Sequence, residues 1–499
     1  MDDVCLLGLD VGTSGCRAAV FTRAGVTVAE ARQEYPLIFP ADGWMELDAE
    51  VVTKAVFECI RECVSRRRGD NIAALAVSSQ GEAVIPVDKA GKPLMNAIVT
   101  FDNRNAGELK HFNGLFGKEE IMGITGAPPH TMFSLTKIMW IKNARPDVYE
   151  KTWKFMCFGD YISYRLGAEP LIDYSMASRT MAFDIGAKRW SDKILGACGV
   201  DKALLPGAAP SGVVIGTTGE GAARETGLAK GVKIVSGGHD QVCCALSAGV
   251  LAGGMAMDSL GTTESILCVS KDLRVTPAMI ENNIPCYCYP VNDLYAYLTF
   301  LSSSGAVLKW FRDSILGGGA YAEMDNTAER ENPGFTGLMI LPHFAGSGTP
   351  YLDFNSKGVI AGLTLGTTKH QIYKAIIEAT CFESRLNIEN MEQSGIAVNE
   401  LVCVGGGAKS PFWLKLKADI TGKPIICSPA SEAGCFGAAI LAGLGAGVYS
   451  EPGDAFSGAR DEPPRYEPDL KAHMEYDAVY RNYKKLYKLS LELRGEDIT

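Results

Sequence analysis

The sequence predicts an α/β protein made of two similar halves, each a mixed sheet flanked by helices. Three observations predict it. The order strand, strand, strand, helix, followed by alternating strand and helix, occurs twice along the chain. A glycine-rich turn after a strand, Gly8-Leu9-Asp10-Val11-Gly12-Thr13-Ser14, has an echo in Asp258-Ser259-Leu260-Gly261-Thr262-Thr263. The 499 residues also exceed what one hydrophobic core usually supports. The halves meet near residue 250.

In the first half, Val4 to Asp10 reads as a strand and Cys16 to Thr22 as a second. Arg23-Ala24-Gly25 turns the chain into a third, Val26 to Arg32. Asp48 caps a helix carrying Val52, Val56, Cys59 and Cys63 at helical spacing. Ile72 to Val77 is a buried strand that runs out at Ser78-Ser79-Gln80-Gly81-Glu82, before a short strand from Ala83 to Val87. Residues from about Arg104 to Pro210 have no counterpart in the second half and read as an insertion that shapes a substrate pocket. Val232 to Val235 is a strand ending in Gly237-Gly238-His239-Asp240-Gln241. The uncharged run from Val242 to Met257 falls short of the ~20 apolar residues of a membrane span and is rich in small residues. It reads as a packed core helix leading into a strand.

The second half repeats the order. Met255 to Leu260 and Glu264 to Val269 form a hairpin, Leu294 to Phe300 a third strand, and Gly305 to Ser314 a helix. Lys369 to Met391 is a long helix. Leu401 to Val404 ends in Gly405-Gly406-Gly407, before a helix from Pro411 to Thr421, a strand from Pro424 to Cys427 and an Ala/Gly-rich helix from Gly434 to Leu444. Pro468 to Arg494 interleaves charges with Tyr476, Val479, Tyr480, Tyr483 and Leu486, a docking helix whose role is packing. The expected domains are 1–250 (with the insertion at about 104–210), 251–450, and a C-terminal docking segment, 451–499.

Composition excludes some partners. Basic residues number 48 against 58 acidic, a net charge of −10, which argues against general affinity for nucleic acid or an anionic membrane. An anionic small ligand must then be held by local devices. Met1-Asp2-Asp3-Val4 shows no basic region followed by an apolar one, so no secretion leader is expected. None of the 15 cysteines forms Cys-x-x-Cys, so they read as small buried hydrophobes of a reducing cytoplasm. The sequence leaves a homodimer possible.

The strand exits carry the chemistry. Glycines let backbone approach a ligand, and free backbone amides attract anions, so the two matching turns suit a polyphosphate. Asp10 suits a magnesium ion, directly or through water. Gly405-Gly406-Gly407 is either a tight turn or a wall that admits a flat nucleoside. Gly-x-x-x-x-Gly-Lys-Ser/Thr is absent, which excludes a Walker-type loop. Asp240 is either a structural cap or a general base for a hydroxyl attacking phosphorus. His239 reads as a local hydrogen bonder, and His130 either touches substrate or is a loop histidine with no such role, the second reading being favoured. Glu82 and Asp102, with Arg104 nearby, are either solvated loop charges or grips for polyol hydroxyls.

Together these residues resemble the FGGY family of carbohydrate kinases along nearly the whole chain. The resemblance lies in Gly8 to Ser14, in Met132-Phe133-Ser134-Leu135-Thr136-Lys137 through Trp140, in Gly238-His239-Asp240-Gln241, in Gly261-Thr262-Thr263 and in Gly405 to Ala408. Gly358 to Leu363, Gln371 to Glu378 and Glu432 to Ala439 are similar to the family's C-terminal signatures.

The resemblance implies two actin-like, ribonuclease-H-like domains with a cleft between them, acting with ATP and Mg²⁺. It places the catalytic base at Asp240 and the metal at Asp10. Phosphates would lie along Gly12, Thr13, Ser14, Gly261, Thr262, Thr263 and Gly305, and the nucleoside along Gly406 and Gly407. The sugar would meet Gly81, Glu82, Asp102, Asp240 and Gln241. Xylulokinases carry Gln-Met-His-Gly where this chain has Gln80-Gly81-Glu82-Ala83, and glycerol kinases carry Arg-Glu at 81–82. Glycine at 81 is therefore expected to make room for an acceptor larger than glycerol. Glu82, free to accept two hydroxyl protons, favours a polyol-like end. The expected acceptor is a five- or six-carbon ketose, polyol or sugar acid, a xylulose-like pentulose first and gluconate next. The competing expectation is a non-enzymatic actin-like ATPase serving as sensor or scaffold.

Overall fold

The computed structural model describes residues 4–66, 71–428, 432–458 and 462–495. The start of the leader reading (1–3) and two short parts of the docking segment (459–461 and 496–499) lie outside the described residues.

The first sheet has six strands: β1 (Val4–Val11), β2 (Gly15–Thr22), β3 (Thr27–Glu34), β4 (Asn71–Ser79), β5 (Val214–Thr217) and β6 (Lys233–His239). Their order is β5-β6-β4-β1-β2-β3. The first three form an antiparallel meander, while β4 and β6 run parallel to β1. The second sheet holds β7 (Gly254–Leu260), β8 (Glu264–Ser270), β9 (Cys286–Cys288), β10 (Tyr295–Leu301), β11 (Val398–Val404), β12 (Ile425–Cys427) and β13 (Arg465–Tyr466). Its order is β9-β10-β8-β7-β11-β12-β13, again a meander extended by parallel strands. The repeat read from sequence is therefore a repeat of topology, β1-β2-β3-β4-β6 matching β7-β8-β10-β11-β12. Parallel strands buried on both faces explain the continuous apolar runs of β1, β4 and β11.

Helices cover the sheets: α1 (Ala49–Arg66), α2 (Ser134–Ala144), α3 (Tyr174–Ser178), α4 (Asp240–Ser247), α5 (Gly305–Trp310), α6 (Tyr321–Glu331), α7 (Lys369–Gln393), α8 (Pro411–Thr421), α9 (Ala433–Ala446), α10 (Leu470–Tyr483) and α11 (Leu486–Leu493). Asp48 caps α1 as expected, its Oδ1 accepting from the amides of Glu50 (2.9 Å) and Val51 (3.2 Å).

Helix α9 belongs to the second half in sequence but packs on the first sheet. A Cβ added to Gly8 of β1 would lie 1.8 Å from the carbonyl oxygen of Cys435, and one on Gly437 would lie 2.0 Å from that of Cys243. The small residues of α9 thus let it press against β1 and α4 at backbone distance. The helix joins the halves, and its composition follows from that contact rather than from a membrane. Among the described residues, no helix is long and apolar enough to cross one.

The insertion lies against β9, the edge of the second sheet. The amide of Cys286 donates to the carbonyl of Gly126 (2.8 Å), and that of Cys288 to Oγ of Ser178 (3.3 Å). An edge strand is covered in this way and a second bridge joins the halves. The single docking helix expected over Pro468 to Arg494 is two, α10 and α11, and α10 docks on α7 through tyrosines. Tyr476 donates to Glu378 (2.9 Å), Tyr480 to Glu389 (2.9 Å) and Tyr483 to Glu383.

Candidate active site

The first glycine turn is closed by the amide of Gly12 donating to the carbonyl of Gly15 (2.9 Å). Gln80, at the exit of β4, braces it: Nε2 donates to the carbonyl of Gly12 (3.0 Å), and Oε1 accepts from Oγ1 of Thr13 (3.2 Å). Ser14 is exposed at the tip. Asp10 accepts from Oγ of Ser78 (2.8 Å) and abuts the start of α9, where a Cβ on Gly434 would lie 2.7 Å from the carboxyl carbon. Burial pushes the Asp10 pKa up, opposed by Ser78 and Arg17.

Asp240 is the first residue of α4, at the mouth of β6. Oδ1 accepts from the amide of Gln241 (2.6 Å) and stands 3.3 Å from Nε2 of His239, while 33% of the side chain stays open. Burial, then the charges of Asp10 and Glu82, push its pKa up to about 7. The three carboxylates therefore occupy one electrostatic neighbourhood. His239 is buried, and burial together with Arg179 holds its pKa well below the usual range, so the ring is neutral. Among the described residues, Nδ1 of His239, Oε1 of Gln241 and the hydroxyl of Tyr287 are buried without a hydrogen-bond partner. The rings of His239 and Tyr287 lie 6.0 Å apart. Such a concentration of unpaired polar atoms is rare in a protein interior and suits a polar ligand.

Glu82 takes a left-handed backbone (φ 64°), uncommon for a residue with a side chain. Its carbonyl is pinned by Nζ of Lys137 (3.0 Å) and Oγ of Ser134 (3.2 Å), both from α2. Burial pushes the Lys137 pKa down to about 8. The Glu82 carboxylate is not free as expected: Oε1 is paired with Arg179, and Oε2 accepts from Thr100 (3.0 Å). The guanidinium of Arg179 lies between the rings of Phe133 (5.2 Å) and Tyr287 (5.3 Å). Nor does Gly81 open the expected room, because a Cβ there would lie 2.8 Å from the ring of His239. The volume released by glycine is filled by a histidine of the same site.

Asp102 is sealed instead of presented. Its side chain has no exposed surface, and its oxygens are taken by the amide of Met45 (2.6 Å) and by Arg104 (2.7 Å). Arg104 in turn lies 4.0 Å over Trp44, so Asp102 braces that loop. His130 accepts at Nδ1 from the amide of Met132 (3.0 Å), and its ring faces Phe354 of the second half at 5.4 Å.

Gly261, Thr262, Gly305, Gly406 and Gly407 come together around a cavity of about 710 Å³, walled further by Tyr321, Asn326 and Trp413. A Cβ on Gly305 would lie 2.5 Å from the carbonyl of Gly261, and one on Gly407 would lie 3.1 Å from the Trp413 ring. The missing side chains are thus what lets the walls meet. Among the described residues, Nε1 of Trp413, a residue of the cavity wall, is buried without a partner. Gly12, Thr13, Ser14 and Thr263 do not line this cavity; the Thr263 carbonyl closes its own turn by accepting from the amide of Gly261 (3.0 Å). The echo between the turns is also incomplete, since Asp258, the counterpart of Asp10, is fully buried and paired with Lys417.

Arg179, Tyr287 and Lys417 were not singled out from sequence. Arg179 is the one charge between Tyr174 and Ala182, and Lys417 shares an apolar helix face with Trp413, Leu416 and Ile420. A lone charge in such a setting signals burial with a partner. Tyr287 carries no comparable signal.

Family comparisons match this architecture. Residues 5–247 match the N-terminal domain, and residues 256–446 the C-terminal domain, of the FGGY family of carbohydrate kinases. The chain belongs to that family. As an FGGY kinase it is a phosphotransferase with a two-domain, actin-like fold, and the family implies ATP as its donor substrate. Xylulose kinase of Staphylococcus xylosus is 25% identical over 97% of this chain and 99% of its own. Glycerol kinase of Thermococcus onnurineus is 31% identical over 89% of each chain. The crystal structure of gluconate kinase from Lactobacillus acidophilus shares the fold with a TM-score of 0.90 at 24% identity, covering 97% of this chain and 98% of that one.

Proposed function

We propose that this FGGY kinase transfers the γ-phosphate of ATP to a hydroxyl of a five- or six-carbon ketose, polyol or sugar acid, with Asp240 as general base. The setting of Asp240 carries the reading: a partly open carboxylate whose pKa is raised to about 7. Near neutral pH such a group is both ionised in large part and more basic than an ordinary aspartate. It takes the hydroxyl proton as the oxygen attacks phosphorus.

The names of the relatives, xylulose, glycerol and gluconate kinase, support a polyhydroxy acceptor. We favour a xylulose-like pentulose, then gluconate. Gln241, His239 and Tyr287 supply unpaired polar atoms for its hydroxyls, and the Glu82–Arg179 pair beside Gly81 bounds one end. An acceptor lacking one of those hydroxyls leaves a buried partner unpaired and is rejected. Asp102 contributes by holding its loop.

The nucleoside fits the cavity beside Gly406 and Gly407, and the phosphates the turns at Gly12–Ser14 and Gly261–Thr263, with Gly305 behind them. Among the described residues, no three His, Cys, Asp or Glu side chains gather to hold a metal ion. The half-buried Asp10 suits Mg²⁺ held by one carboxylate, waters and phosphate oxygens. When bound, Mg²⁺ neutralises charge on the transferred group. Residues 1–250 would carry the sugar side, 251–450 the nucleotide side, and 451–499 the docking segment. Closure of the halves would exclude water from the reacting phosphate.

A panel of ketoses, polyols and sugar acids with MgATP, read by ADP release, tests the reading. Turnover is expected with at least one five- or six-carbon member. Uniform inactivity contradicts it.

A further inference from the structure

A charge cluster with no solvent exposure lies behind the Gly261–Thr263 turn. Lys417 of α8 donates from Nζ to Glu264 (2.6 Å), to Asp258 and to Oγ of Ser384 (3.1 Å), and all four side chains are fully buried. Ser384, on α7, donates in turn to Glu264. The other oxygen of Glu264 accepts from Oγ of Ser304 (2.8 Å). From Ser304 the chain of bonds reaches the turn: its amide donates to the carbonyl of Thr262 (3.0 Å), and that of Gly305 to the carbonyl of Gly261 (3.0 Å).

Burying an ammonium with two carboxylates is a poor route to stability, because desolvation offsets most of the attraction. Burial, with the neighbouring Glu264 carboxylate, raises the Asp258 pKa against the pull of Lys417. What the cluster does provide is directional bonds at fixed places. Leu260 to Thr262, Gly305 and the start of α8 all line the 710 Å³ cavity, and Lys417, itself on α8, reaches the turn through Glu264 and Ser304. The approach of Gly305 to Gly261 leaves no room for a side chain, so a small slip of α5 against the turn changes the cavity wall.

We propose that Lys417 is a positioning residue for the donor nucleotide: through Glu264 and Ser304 it sets the Gly261–Thr262 turn and the start of α5 at the cavity edge. This rests on reading the cavity as the nucleotide site. Direct contact between Lys417 and nucleotide is not part of it.

ADP titration by calorimetry, alongside KM for the sugar and thermal denaturation, tests the proposal in three variants. Lys417→Met with Glu264→Gln removes one charge of each sign. Ser304→Ala leaves every charge in place and breaks only the link to the turn. Both should weaken ADP binding by about tenfold, the scale of one well-placed hydrogen bond, with KM for the sugar unchanged. Ser304→Ala should also lower the melting temperature, because it leaves one oxygen of the buried Glu264 short of a partner, so ADP affinity is read well below the variant's own melting range. The third variant, Gly406→Val, projects into the cavity from a position with no protein atom within 4 Å of its Cβ. If Gly406→Val weakens ADP binding and the other two do not, the positioning role is overturned while the nucleotide reading stands. If all three bind ADP as wild type does, both are overturned.

Discussion

The guanidinium of Arg179 and the carboxylate of Glu82 form a buried ion pair on a backbone that turns left-handed at Glu82. Neither side chain has more than 7% of its surface exposed, so each is the other's main compensation for lost water. Arg179→Met should therefore destabilise the protein by about 3–5 kcal/mol, the cost of an uncompensated buried charge. Adding Glu82→Gln should restore most of the melting temperature but leave KM for the sugar raised. Thermal denaturation and sugar kinetics check both, and an unchanged melting temperature in Arg179→Met contradicts the pairing.

The raised pKa of Asp240 fixes the sign of a pH effect. A protonated carboxyl cannot accept the hydroxyl proton, so kcat/KM for the sugar should rise with pH through about 7 and level off above it. Glu82→Gln removes a neighbouring negative charge and should move the midpoint down. For stability the sign is opposite. A carboxylate whose folded pKa lies above its unfolded value binds its proton more tightly when folded, so stability falls as pH climbs from the ordinary carboxylate range to about 7. A rate profile that is flat between about pH 5.5 and about pH 8.5 contradicts the assignment.

Helices α4 and α9 touch through Gly437, where a Cβ would overlap the carbonyl of Cys243. Gly437→Ala should separate the two helices and cost at least about 2 kcal/mol. Because α4 begins at Asp240 and α9 begins against Asp10, turnover should fall with stability. Gly114→Ala is the contrast, in the helix Ala106–Leu115 with no atom near its Cβ, and should be neutral or stabilising by up to about 1 kcal/mol. Denaturant unfolding of the two variants separates the cases.

Tyr483→Phe removes the donor to Glu383 while keeping the ring tilted against Phe382 at 5.0 Å. Leaving that buried carboxylate short of a partner should cost about 1–3 kcal/mol. Sugar and nucleotide KM should not change, because Tyr483 is not among the residues that line the cavity. A change in either KM without loss of stability contradicts a packing role.

The repeat, the helix boundaries and the glycine turns were legible in sequence because each is a local pattern: alternation, helical spacing, or glycine at a strand exit. The Pro411–Thr421 helix agrees residue for residue. What was not legible is which charges meet. The likeness of Asp258 to Asp10 is real in the backbone, yet a lysine 159 positions away makes one a buried strut and leaves the other beside the opening. Glycine at 81 looked like added space, and a histidine from β6 fills it. Glu82 looked free until Arg179, from a helix-turn in the insertion, arrived beside it. Long-range pairing of this kind follows from the assembled fold, so spacing along the chain carries no trace of it.

Asp240→Asn tests the central claim most directly, by sugar-dependent ADP release under saturating ATP and sugar, with ADP affinity measured on the same preparation. The amide keeps the shape and loses the proton acceptor, so turnover should drop by about 10²–10⁴-fold while ADP binds as before. Wild-type turnover in Asp240→Asn would contradict the assignment of Asp240 as the base.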